Sequence, residues 1–168
     1  TMTDGTGATT SYSYDKAGNI TGVSINGVTV ESYAYDNANR VETITDGLGY
    51  TATNVYDGAG NVIAYVDRNG YTTAYGYDGN YNLTKVTDGN GYETVYTYDY
   101  INRLTKITDG NGNAVEYTLN ANGEITQVKD AMGNTEVYTL DKMGNVTAYK
   151  DKMGNITNYI LDPLTGDV

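Results

Sequence analysis

The chain has 168 residues, of which 19 are Tyr and 21 Gly, with no Phe, Trp, Cys or His and a formal net charge of −11. These counts exclude a disulfide framework, thiolate or imidazole metal sites and His-based acid–base catalysis. They also make nucleic acid and an anionic membrane surface poor partners, since both recruit clustered Lys and Arg. No apolar run approaches the ~18 residues of a spanning helix, so no membrane insertion is expected.

From the N-terminus onward the chain repeats itself, and repeats govern every local reading. Asp4 to Gly7 fills a first turn slot, and Tyr12 and Tyr14 then lead into a second turn opened by Asp15. The same pattern returns every 21 residues: Tyr33 and Tyr35 before Asp36, Tyr56 before Asp57, Tyr75 and Tyr77 before Asp78, Tyr96 and Tyr98 before Asp99. It continues in altered form as Leu119-Asn120, Leu140-Asp141 and Leu161-Asp162, while Tyr117, Tyr138 and Tyr159 keep the earlier column. Only Asn54 interrupts that column. The chain thus reads as one array, 1–168, of eight repeats with Tyr-Asp or its equivalent at 14, 35, 56, 77, 98, 119, 140 and 161.

Each repeat has a second half. The Tyr-Asp dipeptide opens an Asp-x-x-Gly or Asp-x-x-Asn turn, as at Asp57 to Gly60 and Asp141 to Gly144. About ten residues later comes another: Asp46 to Gly49, Asp67 to Gly70, Asp88 to Gly91, Asp109 to Gly112, Asp130 to Gly133 and Asp151 to Gly154. Asp at the first position accepts bonds from backbone N–H groups ahead of it, and Gly at the fourth tolerates positive φ. Tyr and Thr between the turns favour strands. In the segment Tyr92 to Tyr98, alternation places Tyr92, Thr94, Tyr96 and Tyr98 on one face and Glu93, Val95 and Thr97 on the other. In the companion strand, Leu83 and Val86 stand three apart, which predicts a bulge or strong local twist.

The expected fold is all-β: tandem 21-residue β-hairpin repeats, about sixteen short strands, in a continuous antiparallel ribbon. Twist accumulates in such a ribbon, and identical units touch mainly their neighbours, so it should wind into a hollow tube or shell. Scarcity of Leu, Ile and Phe argues against a dry interior of ordinary thickness.

The pattern Tyr-Asp-x-x-Gly-Asn-Leu/Val-Thr-x-Val/Ile-x-Asp-x-x-Gly resembles the Rhs/YD repeat, and Tyr77 to Gly91 nearly spells it, with Tyr81 in place of the Gly. The resemblance covers the whole chain. It implies β-hairpin ribbons that spiral into large hollow shells, as in bacterial Rhs proteins and toxin-complex subunits, where the shell encloses a toxin, and in teneurins at the cell surface. Two departures stand out. No toxin domain or self-cleaving aspartate boundary is recognisable, and Leu161-Asp162-Pro163-Leu-Thr-Gly166 only loosely echoes a Tyr-Asp-Pro-x-Thr-Gly variant of the repeat.

Asp recurs in every turn, and identical columns do not mark a unique site, so turn capping is the reading and catalysis is not expected. Asp-Gly-Asn-Gly at Asp88 and Asp109 resembles fragments of calcium loops but lacks their further acidic ligands. No cofactor is expected, with weak calcium binding as the alternative. Asn19, Asn82, Asn145 and Asn155 open Asn-x-Thr sequons, at positions where the repeat already places Asn and Thr. The Tyr columns serve sheet packing, with stacking against sugar rings as the alternative use. The expected function is a non-enzymatic, secreted or cell-surface scaffold that associates with neighbouring repeats or copies. A toxin-enclosing wall and a glycan-binding surface are the alternatives. The repeat phase joins across both ends, so a stretch of a longer array is expected.

Overall fold

The structure is a computed structural model that describes residues 1–160. The strands are β1 (Met2–Thr3), β2 (Thr9–Tyr14), β3 (Ile20–Ile25), β4 (Val28–Tyr35), β5 (Val41–Asp46), β6 (Thr51–Tyr56), β7 (Val62–Val66) and β8 (Thr72–Tyr77). They continue as β9 (Leu83–Thr87), β10 (Glu93–Tyr98), β11 (Leu104–Thr108), β12 (Ala114–Leu119), β13 (Ile125–Lys129), β14 (Thr135–Leu140), β15 (Val146–Lys150) and β16 (Ile156–Asn158). They form one antiparallel sheet in strict chain order, open at both ends, with no helix among the described residues. Two compact units divide the chain. One comprises Thr1–Gly76 with Thr87–Gly91, the other Tyr77–Val86 with the chain from Tyr92 onward. The Leu161-Asp162 copy and Pro163 to Gly166 lie outside the described residues.

Turn chemistry explains why the chain folds back so regularly. In the turns opened by Asp4, Asp15, Asp36, Asp46, Asp57, Asp67, Asp78, Asp99, Asp109, Asp130, Asp141 and Asp151, the Asp carbonyl accepts the N–H three residues on, and the Asp N–H donates to the carbonyl four residues on. In the turn of Asp57 these bonds are 3.2 Å from Gly60 and 3.0 Å to Asn61. The Asp57 carboxylate also accepts the N–H groups of Ala59 and Asn61, at 2.9 Å each. The fourth residue must take positive φ, which Gly adopts without steric cost. Asn39, Tyr81 and Asn102 hold that position at φ 60°, 65° and 65°. One turn departs from the scheme: β3 and β4 are joined by Asn26-Gly27, both at positive φ, in the two-residue hairpin that such a pair favours.

Register carries the second rule. In the hairpins β2–β3, β4–β5, β6–β7, β10–β11, β12–β13 and β14–β15, one residue of the second strand is skipped. Thr97 pairs with Lys106 and Tyr98 with Leu104, so Thr105 is the extra residue of a β-bulge. The equivalents are Thr21, Glu42, Ile63, Thr126 and Thr147, in step with the repeat. The bulge returns residues three apart to one face. Leu104 and Ile107 therefore lie opposite Tyr98 and Tyr96, the same spacing as Leu83 and Val86.

The outcome is a sheet with two unlike faces. One pairs Tyr with aliphatic residues: Tyr35 with Val41, Tyr33 with Ile44, Tyr117 with Val128. The other pairs small or polar residues, such as Ala34 with Thr43 and Thr97 with Lys106. In β10 the Thr94, Tyr96 and Tyr98 face is the more covered one, and Tyr92 falls ahead of the strand. The only buried hydrophobic residue among those described is Ala52, at 3 % exposure. No second layer covers either face within these units, so there is no dry core.

Candidate functional site

The most ordered chemistry of the molecule is a capture of backbone carbonyls by tyrosine hydroxyls. Tyr35 Oη donates to the Ile20 carbonyl at 2.7 Å, Tyr56 Oη to Val41 at 2.7 Å and Tyr98 Oη to Leu83 at 2.8 Å. The acceptor lies 15 residues back; Ile20 and Val41 immediately precede the bulge residues Thr21 and Glu42, and Leu83 holds the same place in the repeat. A bulge disrupts the ladder locally and leaves a backbone group in need of a partner, and the tyrosine of the following repeat supplies one. At Val41 the Asn54 side-chain amide donates as well, at 2.9 Å, so the residue that interrupts the neighbouring column is a second donor to the same oxygen. Leu119 and Leu140 carry no hydroxyl. Beside Leu119 the face opens into a shallow groove lined by Arg103, Leu104, Tyr117, Leu119, Gly123 and Ile125.

The remaining columns place as follows. Tyr12 and Tyr14, at the start of the sheet, are exposed. Tyr33 and Tyr138 donate to the carboxylates of Glu31 and Glu136, two residues before each. Tyr75 and Tyr77 lie in β8, Tyr96 pairs with Ile107, and Tyr117 with Val128. Tyr159 follows β16, and its N–H donates to the Thr147 carbonyl at 2.9 Å. Burial, then the charge of Asp78, raises the Tyr98 phenol above its ordinary range.

The turn residues form two rows. Asp15, Asp36, Asp57, Asp78, Asp99 and Asp141 open the turns after the Tyr strands, with Asn120 completing that row. Asp46, Asp67, Asp88, Asp109, Asp130 and Asp151 open the others. The fourth positions Gly49, Gly60, Gly70, Gly91, Gly112, Gly133, Gly144 and Gly154 all have positive φ. Hydrogen bonds from Asn at the turn's end and from backbone N–H groups hold the Asp15, Asp57, Asp78, Asp109, Asp141 and Asp151 carboxyls below the usual range. For Asp36 and Asp99 the donors belong to Arg40 and Arg103. Asp130, held first by Lys152 and then by Asn134, falls to about 2.

Two latches between repeats were not anticipated from the pattern. Arg103 Nε donates to Asp99 at 2.7 Å and its Nη1 to the Asn120 carbonyl of the next turn at 2.9 Å, while the Asn102 side-chain oxygen accepts from Asn82 of the previous turn at 2.8 Å. Arg40 and Asn39 repeat the arrangement, with Arg40 4.2 Å above the Tyr56 ring. The available signal was the Asn-Arg that closes both turns in place of Gly-Asn.

The turn carboxylates are committed to N–H donors. Asp109 accepts from Asn111 and Asn113 N–H and from the Asn113 side chain, and Asp88 accepts from Asn90. Among the described residues no group of three or more acidic, His or Cys side chains is placed to hold a metal. The side-chain nitrogens of the sequon residues Asn19, Asn82, Asn145 and Asn155 donate to Asp15, Asp78, Asp141 and Asp151 at 2.8–3.1 Å.

The RHS Repeat family model matches residues 56–93 and 82–114. No curated protein matches the sequence. Among solved structures, TcdB2-TccC3 aligns over 83% of this chain with a TM-score of 0.67 at 13% identity. TcdB2-TccC3 without its hypervariable C-terminal region aligns over 89% with a TM-score of 0.63 at 15% identity. The Photorhabdus luminescens Tc holotoxin pore aligns over 84% with a TM-score of 0.52 at 14% identity. At these identities the likeness is one of fold, and the chain spans only 9%, 9% and 10% of those chains.

Proposed function

We propose that this chain, whose residues 56–93 and 82–114 match the RHS Repeat family model, is a repeat array of that family and a non-catalytic segment of the wall of a hollow β-shell that encloses a protein cargo. The observation that carries this reading is the recurrence of one role per column. Tyr35, Tyr56 and Tyr98 do the same work three times, and so do the Asp carboxylates of successive turns. An active site needs a constellation found once, whereas a wall needs one joint made many times. The single layer with its Tyr-aliphatic face is the second support. The fold likeness to TcdB2-TccC3 and to a Tc holotoxin pore is the third.

The competing architecture is an open-ended tube or fibre, also secreted or at the cell surface. Electron microscopy of the native protein that contains this segment separates them. Closed particles of fixed size with internal density are expected, and continuous open tubes would overturn the shell. A glycan array tests the sugar-stacking use of the Tyr face, and specific retention there would replace the enclosing role with an adhesive one.

A further inference from the structure

Paired positions on the Tyr face are almost always unlike. Tyr12 faces Val23, Tyr33 faces Ile44, Asn54 faces Tyr65, Tyr96 faces Ile107 and Tyr117 faces Val128. Among the strand registers described, two phenols meet in the hairpin β14–β15, as Tyr138 opposite Tyr149. Their ring centroids are 5.3 Å apart at an interplanar angle of 37°. Tyr138 Oη donates to the Glu136 carboxylate at 3.4 Å, and burial, then the same Glu136, raises the Tyr149 phenol above its ordinary range. Both rings are half-buried, at the surface of a single layer.

We propose that Tyr138 and Tyr149 are an oxidative cross-linking site, at which a peroxide-driven one-electron oxidant of the haem-peroxidase class joins the rings into a dityrosine bridge between β14 and β15. A phenol gives up its electron readily only if its proton leaves with it, and Glu136 is the acceptor already bonded to the Tyr138 hydroxyl. Each Tyr loses one electron and its hydroxyl proton, giving two phenoxyl radicals. A carbon–carbon bond forms between ring positions ortho to the oxygens. The ring hydrogen on each of those carbons then moves to an oxygen, restoring two phenols. The two electrons and two protons removed convert one hydrogen peroxide to two waters. Because the rings already face one another across adjacent strands, coupling needs no encounter between distant segments, an advantage of orientation. The bridge would lock the register of this hairpin, and it does not depend on whether the larger assembly is a shell or a tube.

The test is oxidation of the folded chain with horseradish peroxidase and hydrogen peroxide, followed by peptide mass spectrometry and dityrosine fluorescence. A cross-linked peptide joining Tyr138 to Tyr149, lighter by two hydrogens than its parts, should dominate the intramolecular products. Tyr149→Phe, which keeps the ring and the packing, should abolish it, and Tyr65→Phe should leave it intact. Glu136→Gln should slow the coupling several-fold with the fold unchanged by circular dichroism. Equal yield of this bridge in urea, its survival in Tyr149→Phe, or products dominated by other tyrosines would each overturn the assignment.

Discussion

If tyrosine hydroxyls satisfy the carbonyls next to the bulges, three substitutions should give three different outcomes. Tyr98→Phe removes a 2.8 Å bond to Leu83 and leaves the ring in place, so the loss is one net hydrogen bond, about 0.5–1.5 kcal/mol. Tyr56→Phe removes an equally short bond to Val41, but Asn54 still donates to that oxygen at 2.9 Å, so the cost should be about half as large. Leu119→Tyr runs the other way. Its hydroxyl should reach the Leu104 carbonyl across the groove beside Leu119, gaining about 0.5–1 kcal/mol. In a chain of this size 1 kcal/mol corresponds to roughly 2–4 °C in Tm, and urea midpoints at constant slope resolve the differences. Tyr56→Phe and Tyr98→Phe of equal cost would refute the backup role of Asn54. A destabilised Leu119→Tyr would refute the carbonyl capture itself.

Other substitutions probe the turns. Tyr81 stands at φ 65° with its side chain 63 % exposed; Tyr81→Gly should stabilise by about 0.5–1 kcal/mol, because a side chain at positive φ costs more than glycine's extra freedom in the unfolded chain. Asn102→Gly should instead destabilise, since Asn80 and Asn82 both donate to its side-chain oxygen; thermal melts of the two variants should move in opposite directions. Arg103→Lys cannot keep both the Asp99 and the Asn120 bonds, and should cost about 1 kcal/mol in urea unfolding. Turn carboxyls with lowered folded pKa contribute stability above their unfolded value of 3.8, and that contribution is lost as pH falls, between about pH 4 and about pH 2 for Asp130. Acid titration followed by circular dichroism should show this loss, and Asp130→Asn should remove the part of it nearest pH 2 while the other turn carboxyls keep theirs.

The period, the turns and the strand class were legible because their causes are local. Asp binds the N–H groups two and four residues ahead of it, and positive φ selects Gly at the fourth position, so both leave marks within five residues. The bulge was half-legible: Leu83 and Val86 betray a broken alternation, but only the register shows which residue is extra. The carbonyl capture was not legible. It joins residues 15 apart through a backbone atom that no residue type announces. The Asn26-Gly27 hairpin lies outside the Asp-opened period, and its own mark is the Asn-Gly pair that favours this turn directly. Alternation alone places Tyr92 in a strand, whereas it lies ahead of β10, where the turn of Asp88 has only just closed.

The absence of Phe and Trp then acquires a physical reason. A sheet with a single buried hydrophobic residue among those described leaves its aromatic face half in water. Phe in those columns would cover the opposite Val, Ile and Leu equally well, but it would present a continuous apolar patch and could not serve the carbonyl beside each bulge. Tyr does both jobs at one position, covering the aliphatic partner with the ring and carrying a donor at its tip. The Leu119 and Leu140 repeats mark the exception, and there the same face is apolar and grooved. In a layered protein such a stretch would be core. In a single-layer sheet it is the stretch where the face is most readily covered by another apolar surface, so a covering partner should protect Leu119 and Leu140 from solvent before it protects Tyr35 or Tyr56. Hydroxyl-radical footprinting of the native assembly reads that order directly, and equal protection along the face would refute it.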